Sequence, residues 1–472
     1  MFWAVFRVEG LSLVRDRAVW AVLLGFALVV VYAALSGGAL AQAERRAHSE
    51  LLTEERARFA ALQDELVAIE RGGPVRHLTD PRDPHIVGRE LGRRVATLPP
   101  GPLAAVSVGQ RDLLPTAIIV TTEARLGDSG ADDAAGLARR VTGAFDLAFV
   151  LVFLLPLVVI ALSFDVLSAE RERGTLALVL AQPIRLGTFV LAKTALRAAV
   201  LLVVVLAAGI VAPLVAGGGL SGADVGANVL GYAGLLVGYT AFWFCLAVLV
   251  NAFGSSSSGN ALSLVGVWLL LVVVVPGLTS VVVDTLHPAP SRVELVNRAR
   301  DAAREAEAEV SELEGDHGAA PASADRDVAR RAVHVQGQLE SRVEPVIAAF
   351  HAQLARQQAL VDRLRFLSPA IVAFEGMSDV SGSGVTRHQQ FSAAVSELHA
   401  EHKRFFFARI EQGARLTSAD YERMPRFERR EPPPSALLWR VGSGLLGLLV
   451  PAGLMVVLSL RGFRGLLSRG LR

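Results

Sequence analysis

Six stretches of this chain are apolar for about 20 residues each, the length a helix needs to cross the hydrocarbon core of a bilayer. They cover residues 18–40, 145–167, 188–214, 229–250, 261–283 and 437–460. Composition agrees with spans. The chain is 52% hydrophobic and 19% charged, against roughly 25% charged in globular chains, and its mean hydropathy is +0.44. The expected fold is therefore an all-α polytopic membrane protein with six transmembrane helices. Residues 41–144 and 284–436 instead read like soluble protein, and form two large, mainly helical extracytoplasmic segments.

Orientation follows from Lys and Arg in short connections. Arg7, Arg15 and Arg17 precede the first span, and Arg171, Arg173, Arg185 and Lys193 lie between the second and third. Arg461, Arg464, Arg469 and Arg472 follow the last span, whereas the connection at 217–228 has no basic residue. This pattern puts both termini in the cytosol, with residues 461–472 as a basic tail. GALAQA at 38–43 resembles a signal-peptidase site, but the apolar run before it is longer than a signal core, so an uncleaved anchor is expected. The net charge of +2 gives no nucleic-acid footprint. The lone Cys245 lies in an apolar run, which excludes an internal disulfide.

In the first outer segment, Leu51, Leu52, Phe59, Leu62, Leu66 and Ile69 recur at helical spacing. Gly72, Gly73 and Pro74 then end the helix. Residues 104–109 and 117–122 read as short strands. The second outer segment predicts helices at 292–314, 325–366 and 387–413, with a stiff EPPPSA linker at 431–436 leading into the last span.

Between the second and third spans, residues 168–187 carry Glu170, Arg171, Glu172 and Arg173 in a row, then Gly174-Thr175, then an apolar stretch ending at Pro183. So short and charged a segment between two spans suits docking on a soluble partner. A near-match to a phosphate loop at 187–194 has Ala192 where the second glycine belongs, and it enters a continuous apolar helix. Nucleotide binding by this chain is therefore not expected. His399 and His402 share a helical face without a third ligand, so an exposed helix face is expected there instead of a metal site. No catalytic constellation is visible. Arg197, inside the third span, either snorkels toward the cytosolic face, or lines a pathway or pairs with a carboxylate. Asp146, Asp284 and Arg440 sit near outer span ends, within reach of solvent. Pro156, Pro276 and Pro451 are expected to kink their spans.

These residues resemble a known family. FRVEGLSLVRDRAVW at 6–20 is similar to the amphipathic elbow helix of type-2 permease subunits of ATP-binding-cassette (ABC) transporters, so residues 1–17 take that role. AERERGTLALVLAQPIRLGTFVLAK at 169–193 is similar to that family's coupling region, with Glu170, Gly174, Thr175, Leu176, Pro183 and Lys193 at the motif positions. The large outer segments and Leu367-Ser368-Pro369 resemble a DUF3526-like subgroup. The resemblance implies a multi-pass protein of the cytoplasmic (inner) membrane that contacts lipids. It also implies a cytosolic ABC ATPase partner that binds the ATP, leaving this chain without a cofactor. A second permease copy or a sibling permease would complete the pathway.

The expected function is export of a substrate, with ATP hydrolysed by the separate ATPase subunit. Glu170 and Glu172 are expected to make polar contacts to the ATPase, Gly174 to allow close backbone approach or a bend, and Leu176, Leu178 and Leu180 to pack. Two other readings are an ATP-driven mechanotransmitter that moves nothing across the bilayer, and a receptor or scaffold with no ATPase.

Overall fold

The structure is a computed structural model, and it describes residues 2–75, 80–109, 114–123, 146–215, 225–288, 297–298, 300–301, 304–305 and 324–469. Among them six helices are long and apolar enough to cross a membrane, and sheet is confined to two short strands. The chain is an all-α, multi-pass membrane protein. The connection at 217–228 lies largely outside the described residues, and so does most of the helix expected at 292–314.

Helix α1 (Phe2–Arg15) leads into α2 (Arg17–Glu70). Asp16 caps α2, its carboxylate accepting from the amides of Ala18 at 2.9 Å and Val19 at 3.3 Å. The sequence divides α2 into a span and a separate outer helix, but the structure makes them one rod of 54 residues. Nothing between residues 40 and 50 breaks a helix, so the amphipathic pattern simply takes over where the apolar one stops. The rod ends at Gly72, whose φ of +93° suits glycine.

The second span is α3 (Leu147–Glu172), loosened into turns at 164–167. A five-residue helix, α4 (Leu176–Leu180), follows, and then α5 (Leu186–Val215), α6 (Val225–Phe253) and α7 (Ser257–Leu286). Beyond α7 come α8 (Ala324–Leu364), α9 (Pro369–Ser381), α10 (Val385–Gln412), α11 (Ser418–Arg423) and the last span α12 (Pro434–Arg469).

The main core gathers on α6, which has Tyr232, Tyr239 and Trp243 fully buried. Two of the span prolines have a specific consequence here. Pro156 has no N–H, and the turn before it, Val150–Leu154, widens to π-helical form. Backbone carbonyls are thereby freed in an apolar interior, where leaving them unpaired is costly. Tyr239 donates its hydroxyl to Val152 O at 2.7 Å, and Trp268 Nε1 donates to Phe153 O at 3.2 Å. Leu269–Val274 widens in the same way before Pro276, and Ser368 Oγ donates to Leu271 O at 2.6 Å.

Ser368 sits at a hairpin turn that the sequence reading missed. Chain direction reverses at Arg365–Leu367, and Ser368 caps α9 by accepting from Ala370 N at 3.1 Å. Helix α9 packs Ala370, Val372, Ala373, Met377 and Val380 into the core formed by the spans.

The two outer segments, far apart in sequence, fold into one distal domain. Strands β1 (Arg94–Thr97) and β2 (Ala117–Val120) pair antiparallel, with Arg94 opposite Val120. A two-stranded sheet is marginal alone, and here Ala96, Ile118 and Val120 pack on Phe391, Val395 and Leu398 of α10. Leu62 and Leu66 of α2 meet Phe406 of α10 and Tyr421 of α11 in a second cluster. Glu70 fastens that joint, accepting from Ser418 N at 2.8 Å and Ser418 Oγ at 2.9 Å.

Residues 104–109 are not a strand. They form tight turns pressed against α2, where a β-carbon on Gly37 would collide with the Ala105 carbonyl. An apolar run of that length reads equally as a strand or as a buried turn, and this one has no ladder partner. Asp146 is buried rather than solvent-reached. It accepts from Val108 N and Phe149 N, both at 2.8 Å, and so pins this segment to the start of α3.

Candidate functional site

The ends of α1 and α12 meet residues 164–190 at one end of the bundle, here termed basal. Val5, Val166, Leu167, Leu176, Val179, Leu186, Phe189, Val190, Ala252 and Phe463 form one apolar platform there. The run at 168–183 is not a single helix. Ser168–Glu172 ends in a turn, Gly174 adopts φ +71°, and α4 restarts at Leu176. A left-handed residue cannot continue a helix, and glycine takes that conformation without strain. Gly174 thus sits at the bend between the two short helices.

Three charged side chains here bond within the chain: the half-buried Glu170 and Arg171, and the exposed Glu172. Glu170 receives Lys193 Nζ at 3.1 Å and the Thr175 hydroxyl. Glu172 accepts from Ser257 N at 2.7 Å and Ser257 Oγ at 2.9 Å, which places a carboxylate on the N-terminus of α7. Arg171 Nη1 donates to Gly254 O at 2.5 Å. Glu170 and Glu172 thus each hold another element of their own chain, Glu172 doing so from the surface.

The α6–α7 connection is fixed by two buried asparagines. Asn251 Nδ2 donates to Ser163 O at 3.0 Å, while its Oδ1 accepts from Leu167 N at 3.3 Å and Asn260 Nδ2 at 3.2 Å. Asn260 Nδ2 also reaches Phe164 O at 3.3 Å. These amides occupy the backbone groups left open by the turns at 164–167.

Arg197 is paired with carboxylates. Its guanidinium reaches Glu9 Oε1 at 2.6 Å through Nη2 and 3.0 Å through Nε, donates to Leu162 O, and lies 3.6 Å from Asp165. Glu9, with a side chain only 9% exposed, also stands 3.8 Å from Lys193. A buried charge chain thus links α1, α3 and α5 through Glu9, Arg197, Lys193 and Glu170. Sequence reasoning missed Glu9. Its only signal was a single carboxylate in an otherwise apolar and basic amphipathic helix.

What remains free at the basal surface is Arg173, Gly174, Ala177, Leu178, Ala181, Gln182, Pro183 and Arg185, all exposed. Leu176 and Val179 anchor α4 on the platform, while Leu178 is 70% exposed. Leu178, expected to pack, therefore points outward.

The two histidines belong to the distal domain and are not on an exposed face. His399 bonds Glu123 O at 2.9 Å, and His402 is fully buried with its ring edge-on to Phe406 at 4.7 Å. Among the described residues no three His, Cys, Asp or Glu side chains gather as a metal site. Arg440 is also drawn in, pairing with Asp379 at 2.7 Å and Asp362 at 3.4 Å.

Six spans, a basal loop braced from within and an outward apolar knob define a multi-pass membrane permease subunit. A family model described as ABC-2 family transporter protein matches residues 3–459, and the chain belongs to that family. Permeases of this family work with ABC ATPase subunits. No curated protein matches the sequence.

Proposed function

We propose that this chain exports a substrate across the cytoplasmic membrane as the permease subunit of an ABC transporter, with both termini cytosolic. A separate ATPase binds and hydrolyses the ATP. One observation carries the reading: the basal loop is internally bolted to α5 and α7, with α1 tied in turn to α5, but leaves an apolar knob and two arginines unclaimed. A partner pulling on Leu178 would move three helices together. The ATPase-facing surface is then Arg173, Gly174, Leu178, Gln182 and Pro183, with Glu170, Arg171, Glu172 and Thr175 transmitting force behind it. Arg197 is a structural tie rather than a pathway residue.

A second permease, identical or sibling, completes the pathway. The α7 span supports this, since only 11% of its most apolar window is buried within the chain. Lipids would cover whatever the second copy leaves bare, along with the outward Trp3, Leu11 and Val14 of α1.

The mechanotransmitter reading is favoured by α2, which runs unbroken from the basal end into the distal domain. The test is gentle extraction from native membranes with identification of the co-purifying ATPase, for wild type and Leu178→Glu. Surface substitutions change stability by no more than about 0.5 kcal/mol, so Leu178→Glu should stay folded and lose the ATPase. Retention of the ATPase would move the docking surface elsewhere. Absence of an ATPase from wild type would remove the transporter reading.

A further inference from the structure

Away from the basal end, the α8–α9 hairpin carries a charge cage that the permease reading does not use. Its side chains are Asp362 on α8, Arg365 at the turn, Glu375 and Asp379 on α9, and Arg440 on α12. Arg440 Nε binds Asp379 Oδ2 at 2.7 Å, and its Nη1 stands 3.4 Å from Asp362 Oδ1. Arg365 Nη2 donates to Ser443 Oγ at 2.7 Å. Arg365 Nη1 approaches Glu375 Oε2 only to 3.8 Å, too far for a hydrogen bond.

Three carboxyl groups thus face two guanidiniums. Two of the carboxyls are claimed by Arg440. Glu375 is left, with a side chain 16% exposed and Oε2 buried without a hydrogen-bond partner. Helices α3, α6, α7 and α10 also pack on α9; Leu147–Leu154 of α3 is wholly apolar, and Arg387 of α10 is taken by Glu431. Helix α6 (Val225–Phe253) contains no acidic or basic residue and meets Gly376 with Leu235, and Leu269–Val274 of α7 is wholly apolar. Arg365, 3.8 Å away, and Arg440 offset only part of the cost of burying this third carboxylate, and a buried carboxylate short of hydrogen bonds shifts toward its neutral form.

We propose that Glu375 is a proton-binding site, which takes its proton from the distal solvent and keeps the cage neutral while the hairpin is seated on α12. Helix α9 is not one of the six spans. Burial, followed by the charge of Asp362, pushes Glu375 up to about 7. The proton sits on the carboxyl and leaves as a solvated proton, with no other bond changed. Emptying the site puts one unbalanced negative charge between α9 and α12, so proton loss loosens the hairpin. The inference does not depend on which partner drives the permease.

The experiment is infrared difference spectroscopy on the full chain in lipid nanodiscs, stepped from mildly acidic to mildly alkaline pH. Wild type should show a protonated-carboxyl band that disappears near neutrality. Glu375→Gln, an isostere of the protonated acid, should lack it. Asp362→Asn removes a neighbouring negative charge, and should move the midpoint to lower pH. The idea is overturned if wild type shows no such band, or if the band survives in Glu375→Gln. An unmoved midpoint in Asp362→Asn overturns it too, which keeps the test decisive even if the glutamine variant does not fold.

Discussion

Replacing Glu9 by glutamine keeps the size of the side chain and removes its charge, which isolates what the buried chain at the basal end contributes. In the native fold Arg197 makes two short contacts to Glu9, and Lys193 lies 3.8 Å away. Taking one partner from a buried ion pair costs about 3–5 kcal/mol. Arg197 would keep Leu162 O and the more exposed Asp165, and Lys193 would keep Glu170. The expected loss therefore lies at or just below the bottom of that range, about 2–3 kcal/mol. The loss acts on the docking of α1, so amide hydrogen exchange in residues 2–15 is the assay. At 1.4 kcal/mol per tenfold, exchange there should speed up about 30- to 150-fold. The distal-domain amides should be unchanged. A double variant, Glu9→Gln with Arg197→Met, leaves no unpaired charge at that contact and should recover most of the protection. Wild-type exchange in Glu9→Gln, or a double variant worse than the single, would refute this role for the buried pair.

Three further outcomes follow from other parts of the fold. Burial, with the nearby charge of Arg94, pushes His402 down to about 4, against about 6.5 when unfolded. The unfolded chain thus binds the extra proton first. The distal domain keeps its full stability above about pH 6.5 and loses about 3 kcal/mol as pH falls to about 4; His402→Phe should flatten that slope in an acid titration followed by proteolysis. Gly174→Ala forces a Cβ residue into φ +71° at a cost of about 1 kcal/mol, so ATPase affinity in a pull-down titration should fall about fivefold. Tyr239→Phe strands the Val152 carbonyl in the core and should cost about 1–3 kcal/mol in thermal unfolding.

The spans were legible because a bilayer imposes one length and one polarity on each of them. Gly72 and Gly174 were legible too, since glycine marks places where the chain must turn left-handed. The charge chain was not, because Glu9 and Arg197 lie 188 residues apart and neither pattern names its partner. The role of Tyr239 was hidden for a similar reason. Pro156 announces that a carbonyl will be freed, but not which helix will bring the donor. His402 looked exposed because its helix is charged all round, and only the meeting of two distant outer segments buries it.

The continuity of α2 sets a mechanical gain. At 1.5 Å per residue, 54 residues make a rod about 81 Å long. A bilayer core of about 30 Å encloses little more than a third of it. If α1 pivots its base, a tilt of about 5° carries the far tip through about 7 Å. A displacement too small to open a pore at the basal end would thus arrive at the distal domain as a shift wider than a strand spacing.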